Sequence, residues 1–234
     1  MLFRRNYMGK DYLEKYKKEQ FHNVYFVAGT ATGGKTTISK ALADKYGWLR
    51  YDADERFDGH QKRSNPQDQP NMNQTFKNAD EFFFRDTSEY VRWLKDNSKE
   101  QMEFILADLV ELSENRTVVC DLHLTAEEAE KLADPNRIVF LIRENNDNLI
   151  DDYCNRKSHE GFHMFINSSS DVARAKQNCN EVLRIINDER SNAIKNSRFL
   201  YLERNAKSTV EDALKTVERH FGLTNAFLGT KTEP

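Results

Sequence analysis

Cysteine is scarce: the 234 residues contain only Cys120, Cys154 and Cys179. They are odd in number, widely spaced and without a C-x-x-C pair, which excludes a disulfide frame and a thiolate zinc site. They read as reduced thiols packed as small apolar side chains. Long apolar runs are missing as well. No stretch reaches the roughly 18 residues of a membrane-spanning helix, and no apolar segment of signal-peptide type opens the chain. An excess of positive charge is also missing. The net charge of −3 and a pI near 6.1 argue against a nucleic-acid groove. Basic residues at the N-terminus (Arg4, Arg5, Lys15, Lys17, Lys18) alternate with Glu14 and Glu19 and read as a solvated helix face. These absences lead us to expect a cytoplasmic protein with neither a membrane nor a nucleic acid as partner.

What is present suits one α/β domain with a small inserted lobe. Apolar residues make up 38% and the mean hydropathy is −0.82, so the surface is very polar. Fifteen phenylalanines still supply large apolar area for a core. Residues 24–28 (VYFVA) form a short apolar run that stops at Gly29, a buried-strand signal. Apolar spacing at Ile38, Leu42 and Tyr46 predicts a helix, with Gly47 at its C-terminal cap. Further strands are expected at 49–52, 117–121, 138–142 and 198–202, and helices at 125–133, 145–156, 171–195 and 208–221. Such alternation implies a parallel sheet covered on both faces. Residues 1–22 read as a leader helix and 223–234 as a tail, with the domain proper at 23–222. The segment 53–113 is too long for an ordinary crossover and reads as a polar loop followed by helices at 79–95 and 99–113. It is expected to be a helical lobe that closes over a second substrate, with a lid at 156–174.

The strongest signal is Gly29-Thr30-Ala31-Thr32-Gly33-Gly34-Lys35-Thr36, followed by Thr37. It fills every fixed position of G-x-x-x-x-G-K-[ST], a match expected by chance on the order of 1% of the time in a chain this long. Gly33 and Gly34 let successive N–H groups turn inward, and the helix that follows adds the positive end of its dipole, so a β-phosphate can be held there. Lys35 is placed to reach the β- and γ-phosphates, and the Thr36 hydroxyl to ligate magnesium. The pattern therefore implies ATP and Mg2+ as ligands.

Three further groups gain meaning from that loop. Asp121 ends the third expected strand, where a carboxylate holds magnesium directly or through water. Leu122 follows it, so the acid that water-activating ATPases carry there is missing, which favours transfer to an acceptor over hydrolysis. Asp52 and Asp54 close the second strand; Asp52 is read as a metal ligand and Asp54 as the group that orients or deprotonates an acceptor hydroxyl. Arg143, Arg156, Lys157 and Arg174 flank the expected lid, and Arg156 is the first choice for neutralising charge on the transferring phosphoryl. Arg63 and Arg85 in the inserted lobe are candidates for gripping an anionic acceptor, whereas Phe82, Phe83, Phe84, Tyr90 and Trp93 read as that lobe's core. His159 and His163 have helical spacing without the acid of a zinc motif and read as lid surface.

GTATGGKTT after its strand, DAD after the second strand, the CDLH strand end and the arginine-rich lid together resemble the small-molecule kinase branch of P-loop proteins, over roughly residues 23–222. That branch includes shikimate, gluconate, nucleoside-monophosphate and chloramphenicol kinases. The resemblance implies a five-stranded parallel sheet in order 2-3-1-4-5, ATP with magnesium, and a small-molecule acceptor. It assigns Lys35 and Thr36 to phosphate and metal, Asp52 or Asp54 to metal and acceptor, and Arg156 to the lid. The third strand ends in Asp-Leu-His rather than Asp-Gly-Phe-Pro, and no Gly-Gly-Gly acceptor loop occurs. Two other readings stay open: a nucleotide kinase using Arg63 and Arg85, and an ATP-binding switch with little turnover.

Overall fold

The computed structural model describes residues 12–143, 149–155, 159–205 and 207–224. Two 3-10 turns (Tyr12–Lys15 and Lys18–Phe21) lead into β1 (Val24–Gly29), α1 (Lys35–Tyr46), β2 (Leu49–Asp52), α2 (Phe57–Arg63), α3 (Ala79–Phe83) and α4 (Thr87–Ser113). Then come β3 (Val118–Asp121), α5 (Ala126–Leu132), β4 (Ile138–Arg143), α6 (Leu149–Cys154), α7 (Glu160–Asn167), α8 (Val172–Lys195), β5 (Tyr201–Arg204) and α9 (Val210–His220). The sheet is all parallel with order β2-β3-β1-β4-β5. Central β1 is buried along its whole length.

Side-chain alternation sorts the residues into layers. Phe26 and Ala28 face one side, where they meet Tyr51, Cys120, Phe140 and the C-terminal half of α4. Tyr25 and Val27 face the other, against Ile38 and Leu42 of α1 and Val217 of α9. A third cluster lies outside the sheet. It joins Phe83, Tyr90, Ile166, Cys179 and Val182 into a helical lobe made by α3, α6, α7, α8 and the start of α4. All three cysteines are buried and unpaired.

The sequence expectation of two helices at 79–95 and 99–113 is corrected: α4 is a single helix of 27 residues, about 40 Å long. Its polar middle does not break it. Asn97 bonds the Asn71 carbonyl at 3.3 Å, and the Ser98 hydroxyl bonds the Leu94 carbonyl one turn back at 2.8 Å. Asp86 caps the start by accepting from the N–H groups of Ser88 and Glu89. One rigid rod thus ties the lobe to the sheet.

The expected leader helix is 3-10 in its described part, with Leu13 and Phe21 buried against the sheet. The fifth strand lies at 201–204 rather than 198–202, because Phe199 turns into the core before pairing begins. Tyr7, the 225–234 part of the tail, and Arg156 with Lys157 lie outside the described residues. Among the described residues, no helix is long and apolar enough to cross a membrane.

Candidate functional site

β1 runs into the glycine-rich loop at the carboxyl edge of the sheet, where open α/β folds bind ligands. Two glycines are dictated by the approach of β4. A Cβ on Gly29 or Gly33 would collide with the Leu141 carbonyl. Gly34 adopts φ +104° as the residue before α1, a value glycine takes without strain.

Thr32 is left-handed at φ +57°, rare for a β-branched residue. It is held from both neighbours of the sheet edge. The Arg143 Nη1 donates to its hydroxyl at 3.3 Å and the Arg204 Nη1 to its carbonyl at 3.0 Å. From the lobe side, the buried Asn187 Oδ1 of α8 accepts from the Ala31 N–H at 3.1 Å. Thr30 Oγ1 accepts from the Arg143 N–H at 3.1 Å. Three elements, β4, β5 and α8, therefore fix a loop that stores backbone strain, the pre-organisation that anion binding needs.

Lys35 is buried, with its ammonium 3.0 Å from the Thr30 carbonyl. Beside it is Asp121, at the end of β3 and hydrogen-bonded by the Thr36 side chain. Burial pushes the Asp121 carboxyl above its ordinary value; Lys35 and Thr36 counter this, while Asp52 and Asp54 add to it. Asp121 Oδ2 is buried with no hydrogen-bond partner. A buried carboxylate oxygen left orphaned next to a threonine hydroxyl suits a hard cation, so Thr36 and Asp121 fit magnesium.

Asp52 pairs with Asp121 in the register of β2 and β3, but its oxygens have other work. Oδ1 accepts from the N–H groups of Asp54 and Glu55 at 3.0 and 3.4 Å, and Oδ2 pairs with Arg50. It shapes the turn that presents Asp54, which is exposed. Thr37 is exposed one residue beyond Thr36 and lines a cleft of about 190 Å³ on the far side of the loop, with Ile38, Leu202, Ser208 and Thr209.

A larger cleft of about 400 Å³ opens between the sheet edge and the lobe. Thr36, Asp52 and Asp54 border it on one side, and α4 and α7 on the other. The structure thus brings the loop, Asp52, Asp54 and Asp121 together. It turns both lobe arginines away. Arg63 bonds Asp108 at 2.9 Å and stacks on Phe104, and Arg85 packs its guanidinium among Phe76, Phe82, Tyr90 and Trp93. Neither arginine lines the cleft. Arg143 supports the loop and pairs with Asp152 at 2.6 Å. Arg174 lies over Phe84 at 4.5 Å. His159 stacks on Tyr153 at the cleft wall.

Three residues were not singled out as site residues from the sequence alone: Asn187, Arg190 and, in this role, His123. Arg190 bonds His123 Nδ1 at 2.8 Å, and its charge interacts with that of Asp54. Burial lowers its guanidinium pKa from the ordinary value, an effect that Glu128, Glu189 and Asp54 oppose. The available signal was position: Asn187 and Arg190 are a helical turn apart on the stripe of α8 that carries Val182, Ile186 and Ile194.

The strand order, the helices on both faces and a glycine-rich loop opening α1 define an α/β fold of the P-loop NTPase type. No family model matches the chain, and no curated protein matches it in sequence. In fold it is similar to a shikimate kinase from Acinetobacter baumannii solved in complex with shikimate. The TM-score is 0.46 and the identity 14%, covering 86% of this chain and 94% of that one.

Proposed function

We propose that the chain transfers the γ-phosphoryl group of ATP to a hydroxyl of a small molecule. The observation that carries this reading is the cleft itself, in which Thr36 and Asp54 border one space facing a packed helical lobe. Its volume suits a small molecule. The nucleobase would lie in the cleft beside Thr37 and Ile38, and the loop N–H groups and Lys35 would hold the phosphates.

Magnesium, when bound, neutralises charge on the β- and γ-phosphates. Thr36 and Asp121 would hold it, with Asp52 fixing the turn beside them. Asp54 orients the acceptor hydroxyl and takes its proton. Arg190, near Asp54, and Arg156 of the lid balance the negative charge that spreads over the transferring group. The chain's contribution is chiefly positioning, which suits the pinned loop and the single rod of α4. With Leu122 after Asp121, the site lacks the acid that would activate water.

The test is phosphorus NMR of Mg-ATP with the protein against pools of nucleosides, nucleoside monophosphates, sugars, sugar acids and hydroxylated aromatic compounds. A new phosphoester resonance that is absent with Lys35→Ala is expected. ATP that stays intact in every pool, or that yields only inorganic phosphate, would refute transfer to a hydroxyl.

A further inference from the structure

The walls of the acceptor cleft restrict what can enter it. Phe82, Tyr90 and Trp93 form one aromatic side, and Tyr153 and Phe162 contribute another. Asn97 and Gln101 line it one helical turn apart on α4, and both amide nitrogens are taken up by backbone carbonyls. Asn97 Nδ2 donates to the Asn71 carbonyl at 3.3 Å, and Gln101 Nε2 to the Ala53 carbonyl at 2.7 Å. These bonds fix both amides, so that Oδ1 and Oε1 are left as hydrogen-bond acceptors. Asp54 and Glu55 add carboxylates at the mouth. Among the described residues that line the cleft there is no lysine or arginine.

The aromatic wall already carries a cation. The Arg85 guanidinium lies 4.5, 4.2 and 4.7 Å from the ring centroids of Phe82, Tyr90 and Trp93, and its terminal nitrogens are buried without hydrogen-bond partners. Arg85 does not line the cleft. Rings engaged by one guanidinium offer little to a second cation but still stack on a neutral planar group. An anionic body, in turn, would meet the carboxylates of Asp52, Asp54 and Glu55 with no lysine or arginine among the described lining residues to offset them.

Resting on the phosphotransfer reading, we propose that the acceptor is an uncharged, hydroxyl-bearing compound with a planar ring and hydrogen-bond donors on its edge. A nucleoside is the type case. The ring stacks on the Phe82–Trp93 side, its donors meet Asn97 Oδ1 and Gln101 Oε1, and its hydroxyl reaches Asp54. A phosphate or carboxylate on the acceptor is disfavoured by the carboxylates at the mouth.

Trp93 makes the test direct, because the other tryptophan, Trp48, is stacked on Tyr25 and Tyr46 across the sheet. The full chain is saturated with magnesium and a non-hydrolysable ATP analogue, and Trp93 fluorescence is followed on adding each common ribonucleoside or its 5′-monophosphate. At least one nucleoside is expected to change the signal, with its monophosphate weaker by at least about tenfold. Asn97→Leu should weaken that nucleoside by about tenfold while the protein still binds the ATP analogue, and Trp93→Phe should abolish the signal. A monophosphate that binds as tightly as its nucleoside overturns the proposal, and so does the failure of every nucleoside to bind. Calorimetric binding of the ATP analogue to wild type and Lys35→Ala is read separately. Loss of that binding with nucleoside binding intact would defeat phosphotransfer and leave the cleft's selectivity standing.

Discussion

Replacing Asp121 by Asn should stabilise the ligand-free protein and disable the site. The carboxylate is buried, its Oδ2 has no partner, and Asp52 and Asp54 raise its pKa further. A buried polar atom left unsatisfied costs roughly 1–3 kcal/mol. The Thr36 hydrogen bond and the attraction of Lys35 return part of that cost, so neutralising the charge should gain about 1 kcal/mol, or about 2–4 °C in Tm for a chain of this size. The sign follows from linkage. A raised folded-state pKa means the folded chain holds the proton more tightly than the unfolded one. Stability therefore falls as pH rises from the ordinary value of 3.8 through the raised one, and the full cost remains above it. The Asn variant should lose its advantage in acid and keep it at neutral pH. Thermal melts with and without Mg-ATP provide the assay. At about a hundredfold excess over Kd, ligand should add about 2.7 kcal/mol to wild type and far less to the variant. A variant that melts lower than wild type without ligand, or that keeps the Mg-ATP shift, would refute the reasoning.

Other perturbations test the scaffold. Asn187→Leu strands the buried Ala31 N–H, and should cost roughly 1–3 kcal/mol and raise the KM for ATP about tenfold, with helix content unchanged by circular dichroism. Gly33→Ala sets a methyl against the Leu141 carbonyl, so nucleotide binding measured by calorimetry should be lost with about 1–3 kcal/mol of stability. Gly59→Ala, inside α2 with open space around it, should instead stabilise by about 0.5–1 kcal/mol in denaturant melts. His60 is buried beside Tyr51, Asp108 and Gln101, and burial lowers its pKa below the ordinary 6.5. The unfolded chain then takes up the proton first as pH falls. Stability is full above 6.5 and drops as pH descends through that value towards the depressed one. Melts between about pH 7.5 and 5.5 should show that slope, and His60→Asn should flatten it.

The loop and its strand were legible because the signal is contiguous. Glycines forced by close approach, a lysine and a threonine within eight residues leave few alternative structures. The alternating apolar runs located the strands within a few residues for the same reason. Tertiary partners were not legible. Arg63 meets Asp108 across 45 positions, a separation that no spacing rule connects to it. The Asp-Asn-Ser in the middle of α4 looked like a break, yet it is helical because a loop carbonyl and the preceding turn satisfy those side chains. Asn187 and Arg190 sit in a charged helical stretch whose meaning depends on α8 passing beneath the loop. Asp52, read as a metal ligand, makes hydrogen bonds within its own turn that depend on that turn's shape.

Calorimetric titration of the full chain with ATP, with and without magnesium and alongside Lys35→Ala, tests the nucleotide site most directly. Binding that needs both magnesium and Lys35 is the expected result. No binding, or binding indifferent to Lys35→Ala, would contradict a nucleoside triphosphate site in the glycine-rich loop.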